Sequence, residues 1–535
     1  MLPFYTNGLP KSPGGPVFRY TTDMKLVGII DIGSNSMRLS VIRRLDNGAH
    51  YVVDEHKSTP RLASLVAKNG ELGADAVNEL MIRLREFMDL ARAYGVGQIV
   101  ALGTAALRGA TNRDQIVAIV ARQLGITIDI VSGKEEAYLG YTAVRRTLEV
   151  KTAYLIDIGG GSTEISLVKD GELVATHSLP FGAVTIMRHI KETGRDLPTL
   201  KLPDFAAQAL QSLDMLHREP HAEVIGIGGT IRSVARIHQG ARAYPLALAH
   251  NYVMPPEDVE AILHWIASLP LQRRKKINGL SKDRVDLIIP GGTILLHVLR
   301  QIGACRLRVS GRGLRDGAFY ARVLQDPDPA SEVNILEQSV HNLLRRFLTS
   351  EEHAGHVSQL AFALFNAFAE LKALAPTADR VLYTAAMLHR IGVHVSYYGY
   401  DRHTFYLILC SPIYGLSHRE ILLAALAASF KGRAEMRTLA APYRSLLTEG
   451  DEDLSARLGV LVRLAEAMDQ RREQRITSLV AKVDKESLNI SLTVRGGADV
   501  EIAAALALAP QVKKIFGRDL AISIADLFPE NQVNA

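Results

Sequence analysis

Two segments of this chain nearly repeat each other: "IDIGSNSMRLSVI" from Ile30 and "IDIGGGSTEISLV" from Ile156, identical at six of thirteen positions and 126 residues apart. Each is an apolar run ending in Ile-Asp-Ile-Gly, then a turn of small polar residues, then a second apolar run. Strand, turn and strand make a hairpin, and a period this long is not that of a solenoid. The pattern predicts two related α/β halves with a ligand site between them, a common place for one. One matched position reverses its charge: Arg38 in the first copy, Glu164 in the second.

Around these anchors the chain divides. Residues 1–23 are rich in proline and glycine and lack an apolar segment, so they read as a disordered extension and not a signal peptide. Residues 24–148 form a first α/β domain, with helix-period segments "AVNELMIRLREFMDLARAYG", stopped at Gly95, and "RDQIVAIVARQLG" after a Thr-Asn cap. Residues 149–325 form the second, where "AEVIGIGGTIRSVARIH" and "VDLIIPGGTILLHVLRQIG" each read as strand, glycine turn and helix. After the Pro/Asp-rich linker 325–332, residues 333–483 read as successive helices, and 484–535 as a small α+β tail.

Composition narrows the classes. With 47% hydrophobic and 22% charged residues, the 535-residue chain has the make-up of a soluble globular protein. A net charge of +6 suits an anionic partner, and neither nucleic acid nor membrane is expected as one. The densest cationic run, Arg273-Arg274-Lys275-Lys276, reads as a solvated helix end. Cys305 and Cys410 are too few for a disulfide framework, which favours a reducing cytoplasm. No apolar run approaches the roughly 20 residues of a membrane span.

Three glycine-rich turns carry the chemistry. Gly33-Ser34-Asn35-Ser36 and Gly159-Gly160-Gly161-Ser162 follow buried strands, and Gly228-Gly229-Thr230 opens a helix. Such turns expose backbone N–H groups at close range, and a helix N-terminus adds its dipole, so all three suit phosphate. Asp31 and Asp157 end strands at the lip of these loops, where a bare carboxylate would repel phosphate. Mg²⁺ resolves that conflict by taking carboxylate, water and phosphate oxygens together. Glu164, opposite Asp157 in its hairpin, is placed to share metal and water work, whereas Arg38 can hold phosphate oxygens in a bidentate grip. Glu135-Glu136 after "VSG" reads either as dipole partners of a helix start or as working acids, and Arg108 as a surface arginine or a phosphate ligand.

Taken in order, "DIGSNSMRL", "GTAALR", "SGKEEA", "DIGGGSTE", "GIGGT" and "SGRGLRDG" resemble the exopolyphosphatase/guanosine pentaphosphate phosphatase family, over about Ile30 to Gly317. The resemblance implies two duplicated actin-like (ribonuclease H-like) α/β domains. It also implies Mg²⁺-dependent removal of terminal phosphate from inorganic polyphosphate, guanosine pentaphosphate, or both. By position, Glu136 matches the family's base that activates water, with Glu135 the fallback if the register slips by one. Asp157 and Glu164 match its other essential acids, which with Asp31 make the expected metal set. Thr104 and Arg108 of "GTAALR" and the three glycine loops match its phosphate contacts.

The helical region resembles the HD-like domain that longer members carry. His356 and His389 fill histidine places there, but "AMLHRIG" puts Arg390 where an aspartate ligand belongs, and Glu466 stands where another aspartate is expected, with Asp469 nearby. A scaffold without a complete metal site is expected. His353, His394, His403 and His418 are assigned structural or surface roles. The reading is thus an exopolyphosphatase that releases orthophosphate processively from polyphosphate. Guanosine pentaphosphate hydrolysis is the first alternative, and a nucleotide-binding kinase or switch using 226–233 and 289–293 the second. A homodimer is expected, as is Mg²⁺, with a monovalent cation such as K⁺ a further candidate cofactor.

Overall fold

The computed structural model describes residues 25–525 apart from residue 68 and segments 195–199, 325–333 and 375–377. The expected N-terminal extension and the linker therefore lie outside the described residues. In the first lobe, β1 (Lys25–Ile32), β2 (Met37–Arg44), β3 (His50–Ser58), β4 (Gln98–Gly103) and β5 (Ile128–Ile130) form a sheet in the order β3-β2-β1-β4-β5. In the second, β6 (Ala153–Ile158), β7 (Thr163–Lys169), β8 (Glu172–Leu179), β9 (Glu223–Ile227), β10 (Tyr252–Met254) and β11 (Leu307–Val309) run β10-β11-β9-β6-β7-β8. Apart from the added edge strand β10, the two orders coincide, as do the antiparallel and parallel pairings. The repeat seen in the sequence is thus a repeat of whole sheets.

Register fixes the opening puzzle in space. Asp31 is directly opposite Arg38, and Asp157 is directly opposite Glu164. Opposed residues share a face of the sheet, so each hairpin presents its aspartate and its distinctive partner at one mouth.

The lobes are also interlocked by helices. Helix Gly133–Arg145 leaves the first lobe, and its Tyr141 and Val144 pack on Leu155, Val168 and Ile225 of the second. In return, helix Leu314–Ala318 and the wider turn Phe319–Val323 lay Ala318 and Phe319 on Val27, Ile29 and Leu102 of the first. The two cross at Gly317, where a Cβ would overlap the Leu139 carbonyl oxygen.

Several local expectations are corrected. "VDLIIPGG" is not a strand and turn, because helix Ile288–Ile302 already runs through Pro290, Gly291 and Gly292. Pro290 sits in the first turn, where no intrahelical N–H is required. Gly291 lets the helix close on Thr230, whose side-chain atoms lie 2.8 Å from where a Cβ would stand. β3 and β10, which the sequence reading passed over, are a half-buried strand and a three-residue edge. Gly95 does stop helix Ala74–Tyr94 in left-handed geometry, but the Asn112 side chain does not cap helix Arg113–Leu124; it bonds both backbone polar groups of Leu72.

Beyond the lobes, helices from Ile335–Arg346 to Asp451–Ala467 share one apolar core with a small sheet of β12 (Ile476–Val483), β13 (Ser487–Val494) and β14 (Asp519–Ile524). The expected boundary at 483/484 falls between paired strands, since β12 runs antiparallel to β13. Ile476, Ile490 and Val512 bury with Leu458 and Leu464, so helices and tail make one unit. No helix among the described residues is long and apolar enough to cross a membrane.

Gly317→Ala is expected to destabilise the lobe pair by about 1–3 kcal/mol, the usual cost of overpacking. Thermal melting against wild type checks it; an unchanged melting temperature would mean the helix crossing is slack.

Candidate functional site

The two duplicated loops meet face to face. Each closes with the same bond: Gly33 N–H to the Ser36 carbonyl at 3.1 Å, and Gly159 N–H to the Ser162 carbonyl at 3.0 Å. A Cβ on Gly160 would lie 3.1 Å from the Asn35 nitrogen, and one on Gly161 only 2.5 Å from Ser34 Oγ. Only glycine fits between them. Ser34 Oγ and both polar atoms of the Asn35 side chain are buried without a hydrogen-bond partner, on the wall of a cleft of about 150 Å³. Buried polar groups are rarely left so. Gly228, at φ 91°, completes the wall, holding Asp157 Oδ1 within 2.6 Å of where its Cβ would be.

Carboxylates converge on this cleft: Asp31, Asp157 and Glu136 line it, as does Asp316, paired with Arg312 at 3.1 Å, and Glu164 lies buried nearby. Glu136, in the first turn of its helix, accepts a 2.8 Å bond from Arg108 Nη1. Burial pushes its pKa up to about 7, with Arg108 opposing and the Asp157 and Asp31 charges reinforcing. Burial likewise raises Asp157 to about 6 and raises Asp31. Glu164 is driven well above the carboxylate range by burial and by the charges of Glu136 and Asp157. Of the two adjacent glutamates, Glu136 lines the cleft, whereas Glu135 pairs with Arg322 and does not.

Opposite the acids stand Arg38, Arg232, Arg284 and Arg315. Burial, then the proximity of Arg38, pulls Arg232 down to about 10. Arg284 presses on Gly229, where any Cβ would overlap its guanidinium. Sequence reading named only Arg38 of these. Arg232, one helical turn after Gly229, and Arg315, within "SGRGLRDG", carried a signal; Arg284 carried none, being brought in by tertiary structure alone. A second cavity of about 570 Å³ shares Arg38, Arg232 and Arg315 and continues past Arg236 and Arg346 to the helical region, with Tyr51, Tyr320 and Tyr414 on its walls.

Some expected contacts are reassigned. Arg108 does not line the cleft; it holds Glu136 and the Val131 carbonyl, 3.9 Å from Glu164. Thr230 turns its side chain into the core against Gly291. Thr104 lines the cleft but donates its hydroxyl to the Ile32 carbonyl at 3.3 Å. The metal set Asp31, Asp157 and Glu164 does not form as a trio: Glu164 accepts from Ser178 at 2.8 Å, and among the described residues no three His, Cys, Asp or Glu side chains are arranged to hold a metal. Asp31 and Asp157 are of the chemistry that suits Mg²⁺ bound through one or two carboxylates plus water and phosphate; burial raises the pKa of both, with Arg315 and Arg38 opposing at Asp31 and Arg232 and Arg284 at Asp157. In the helical region Arg390 donates to Glu466 at 2.7 Å, and His353 donates to Asp469 at 2.7 Å. His353, His356 and His389 are all buried.

The site is therefore a cleft lined by carboxylates, arginines and glycine loops, set between two duplicated α/β lobes. The chain belongs to the Ppx/GppA phosphatase family, whose model matches residues 41–326, and the family's domain III model matches residues 335–503. It is 26% identical over 476 residues to the guanosine-5'-triphosphate,3'-diphosphate pyrophosphatase of Aeromonas hydrophila subsp. hydrophila, covering 87% of this chain and 92% of that protein. Similar structures include a Ppx/GppA family member of Aquifex aeolicus (25% identity, TM-score 0.48, 57% of this chain and 99% of that one). An exopolyphosphatase-like protein (23% identity, TM-score 0.50, 56% and 99%) shares the fold.

Because the folded protein holds the Glu136 proton more tightly than the unfolded chain does, ionising it costs stability, fully above about pH 7 and not at all below the ordinary range near 4.5. Without added metal, Glu136→Gln should melt above wild type at about pH 8, with the gap closing towards about pH 5. Scanning fluorimetry across that range tests it, and a constant gap would contradict the burial argument.

Proposed function

We propose that the chain is a Mg²⁺-dependent exopolyphosphatase that releases orthophosphate from the end of inorganic polyphosphate. The observation carrying this reading is the set of arginines shared by the small cleft and the larger cavity, Arg38, Arg232 and Arg315, with Arg236 and Arg346 further on in the larger one. A row of guanidinium groups suits a chain of phosphates.

The terminal phosphoryl group occupies the cradle of the 33–36 and 159–162 loops, with Ser34 and Asn35 supplying the unpartnered polar atoms. Arg38 and Arg284 neutralise its oxygens from the opposite side. Glu136, poised near neutral pH, accepts the proton of the attacking water, and Arg108 holds its carboxylate in place. Burial and the charges of Asp157 and Asp31 keep Glu136 basic. Mg²⁺, when bound by Asp31 and Asp157, supplies the positive charge that lets these acids sit beside phosphate. Positioning and charge neutralisation then do most of the catalysis.

Guanosine pentaphosphate is the second reading, supported by the Aeromonas relative and by Tyr51, Tyr320 and Tyr414, whose rings offer stacking surfaces in the larger cavity. A kinase-like use of 289–293 is disfavoured, since those residues are buried helix.

Colorimetric phosphate release from long polyphosphate, tripolyphosphate and guanosine pentaphosphate, assayed side by side with and without Mg²⁺, tests the proposal. Long polyphosphate should have the highest kcat/KM and chelation should abolish turnover; preference for the nucleotide would favour the second reading. Glu136→Gln should retain binding and lose about 10²–10⁴-fold in kcat. Near wild-type turnover in that variant would remove Glu136 from its role.

A further inference from the structure

Two ion pairs join the lobes at the rim of the cleft, outside the reacting groups. Lys57, near the end of β3, pairs with Asp283. Arg61 donates twice to Asp286, at 2.6 and 3.0 Å, and once to the Asp283 carbonyl at 3.2 Å. The Arg61 backbone is left-handed at φ 54°, a conformation that a non-glycine residue keeps only where its surroundings enforce it. Those surroundings include the first glycine loop: Arg61 N–H donates to the Asn35 carbonyl at 3.1 Å, and Ala63 N–H to the Ser34 carbonyl at 3.0 Å. Ala63 itself packs on Ala183, Met187 and Leu287 of the second lobe. One short segment therefore grips the Ser34–Asn35 loop with its backbone and the opposite lobe with its side chains. Across the rim, Arg284 lies in sequence between the two paired acids and reaches the cleft beside Gly229.

We propose that Arg61 and Asp286, supported by Lys57 and Asp283, are positioning residues. They form a clasp that holds the lobes closed and sets both Arg284 and the Ser34–Asn35 loop on the terminal phosphate. This rests on the phosphohydrolase reading above. The side chains of Arg61 and Asp286 are 34% and 23% exposed, and pairs this open to water add little to folding. Their effect falls on the balance between open and closed cleft. Breaking the clasp lowers the closed fraction and weakens apparent affinity in proportion, while bound substrate still closes the cleft.

The experiment compares Arg61→Ala, Asp286→Ala, Asp286→Asn and the reversed pair R61D/D286R, using phosphate release from tripolyphosphate, thermal melting, and small-angle X-ray scattering without substrate. The single variants should raise KM roughly tenfold with kcat within about threefold of wild type. Their melting temperatures should be unchanged and their radius of gyration larger, and the reversed pair should recover both KM and radius. An unchanged KM, a reversed pair no better than the worse single variant, or kcat and melting temperature falling together would each overturn the clasp. If wild type releases no phosphate from tripolyphosphate, the activity reading fails, and the scattering comparison still decides the clasp: equal radii reject it, and a larger radius recovered by reversal sustains it.

Discussion

The contact on which the rest depends is the one between the two glycine loops. With Gly160 and Gly161 against Ser34 and Asn35, the loops approach so closely that no side chain fits between them. That approach brings the mouths of two hairpins to one place, and with them a carboxylate from each lobe. Asp31 and Asp157 would otherwise belong to separate sheets with separate surroundings. Burial raises both pKa values, and the Asp31 charge adds to the rise at Asp157. The opposing arginines show the complementary shift, Arg232 lying lower than an isolated guanidinium. Buried acids and buried arginines thus share the same small space.

Much of this was legible in the sequence. The repeated Ile-Asp-Ile-Gly fixed the duplicated sheets because a buried strand before a tight turn leaves little latitude at each position. Register then followed from the hairpin, so Asp157 and Glu164 could be paired without coordinates. The residues alone did not separate Glu135 from Glu136; the family resemblance pointed to Glu136, which is the one that lines the cleft. What stayed hidden depended on packing between distant segments. Arg284 reaches the cleft only because residues 281–287 fold back against Gly229, and Arg108 was drawn from phosphate to Glu136 by a carboxylate 28 residues away. The "IIPGG" segment misled for a related reason: its glycines serve close helix packing, a use that looks the same in sequence as a phosphate turn.

In the helical region an ion pair joins Arg390 and Glu466, the two residues that in sequence stand in place of ligand aspartates. Arg390 carries a fixed positive charge to Glu466, and the buried His353–Asp469 bond joins helix Glu351–Ala367 to the segment after Asp451–Ala467. These bonds lie within the core shared with the small sheet, so they tie together a unit whose face towards the lobes completes the larger cavity.

The exchange of helices between lobes has a bearing on how such a chain can be divided. Helix Gly133–Arg145, from the first half, buries Leu139 in the first lobe and Tyr141 and Val144 in the second, while Ala318 at the end of helix Leu314–Ala318, from the second half, is buried in the first. Separated at the midpoint, each half would lose part of the surface that covers its own helix and part of the cover over its own sheet. A cut there would divide shared cores rather than release two finished units.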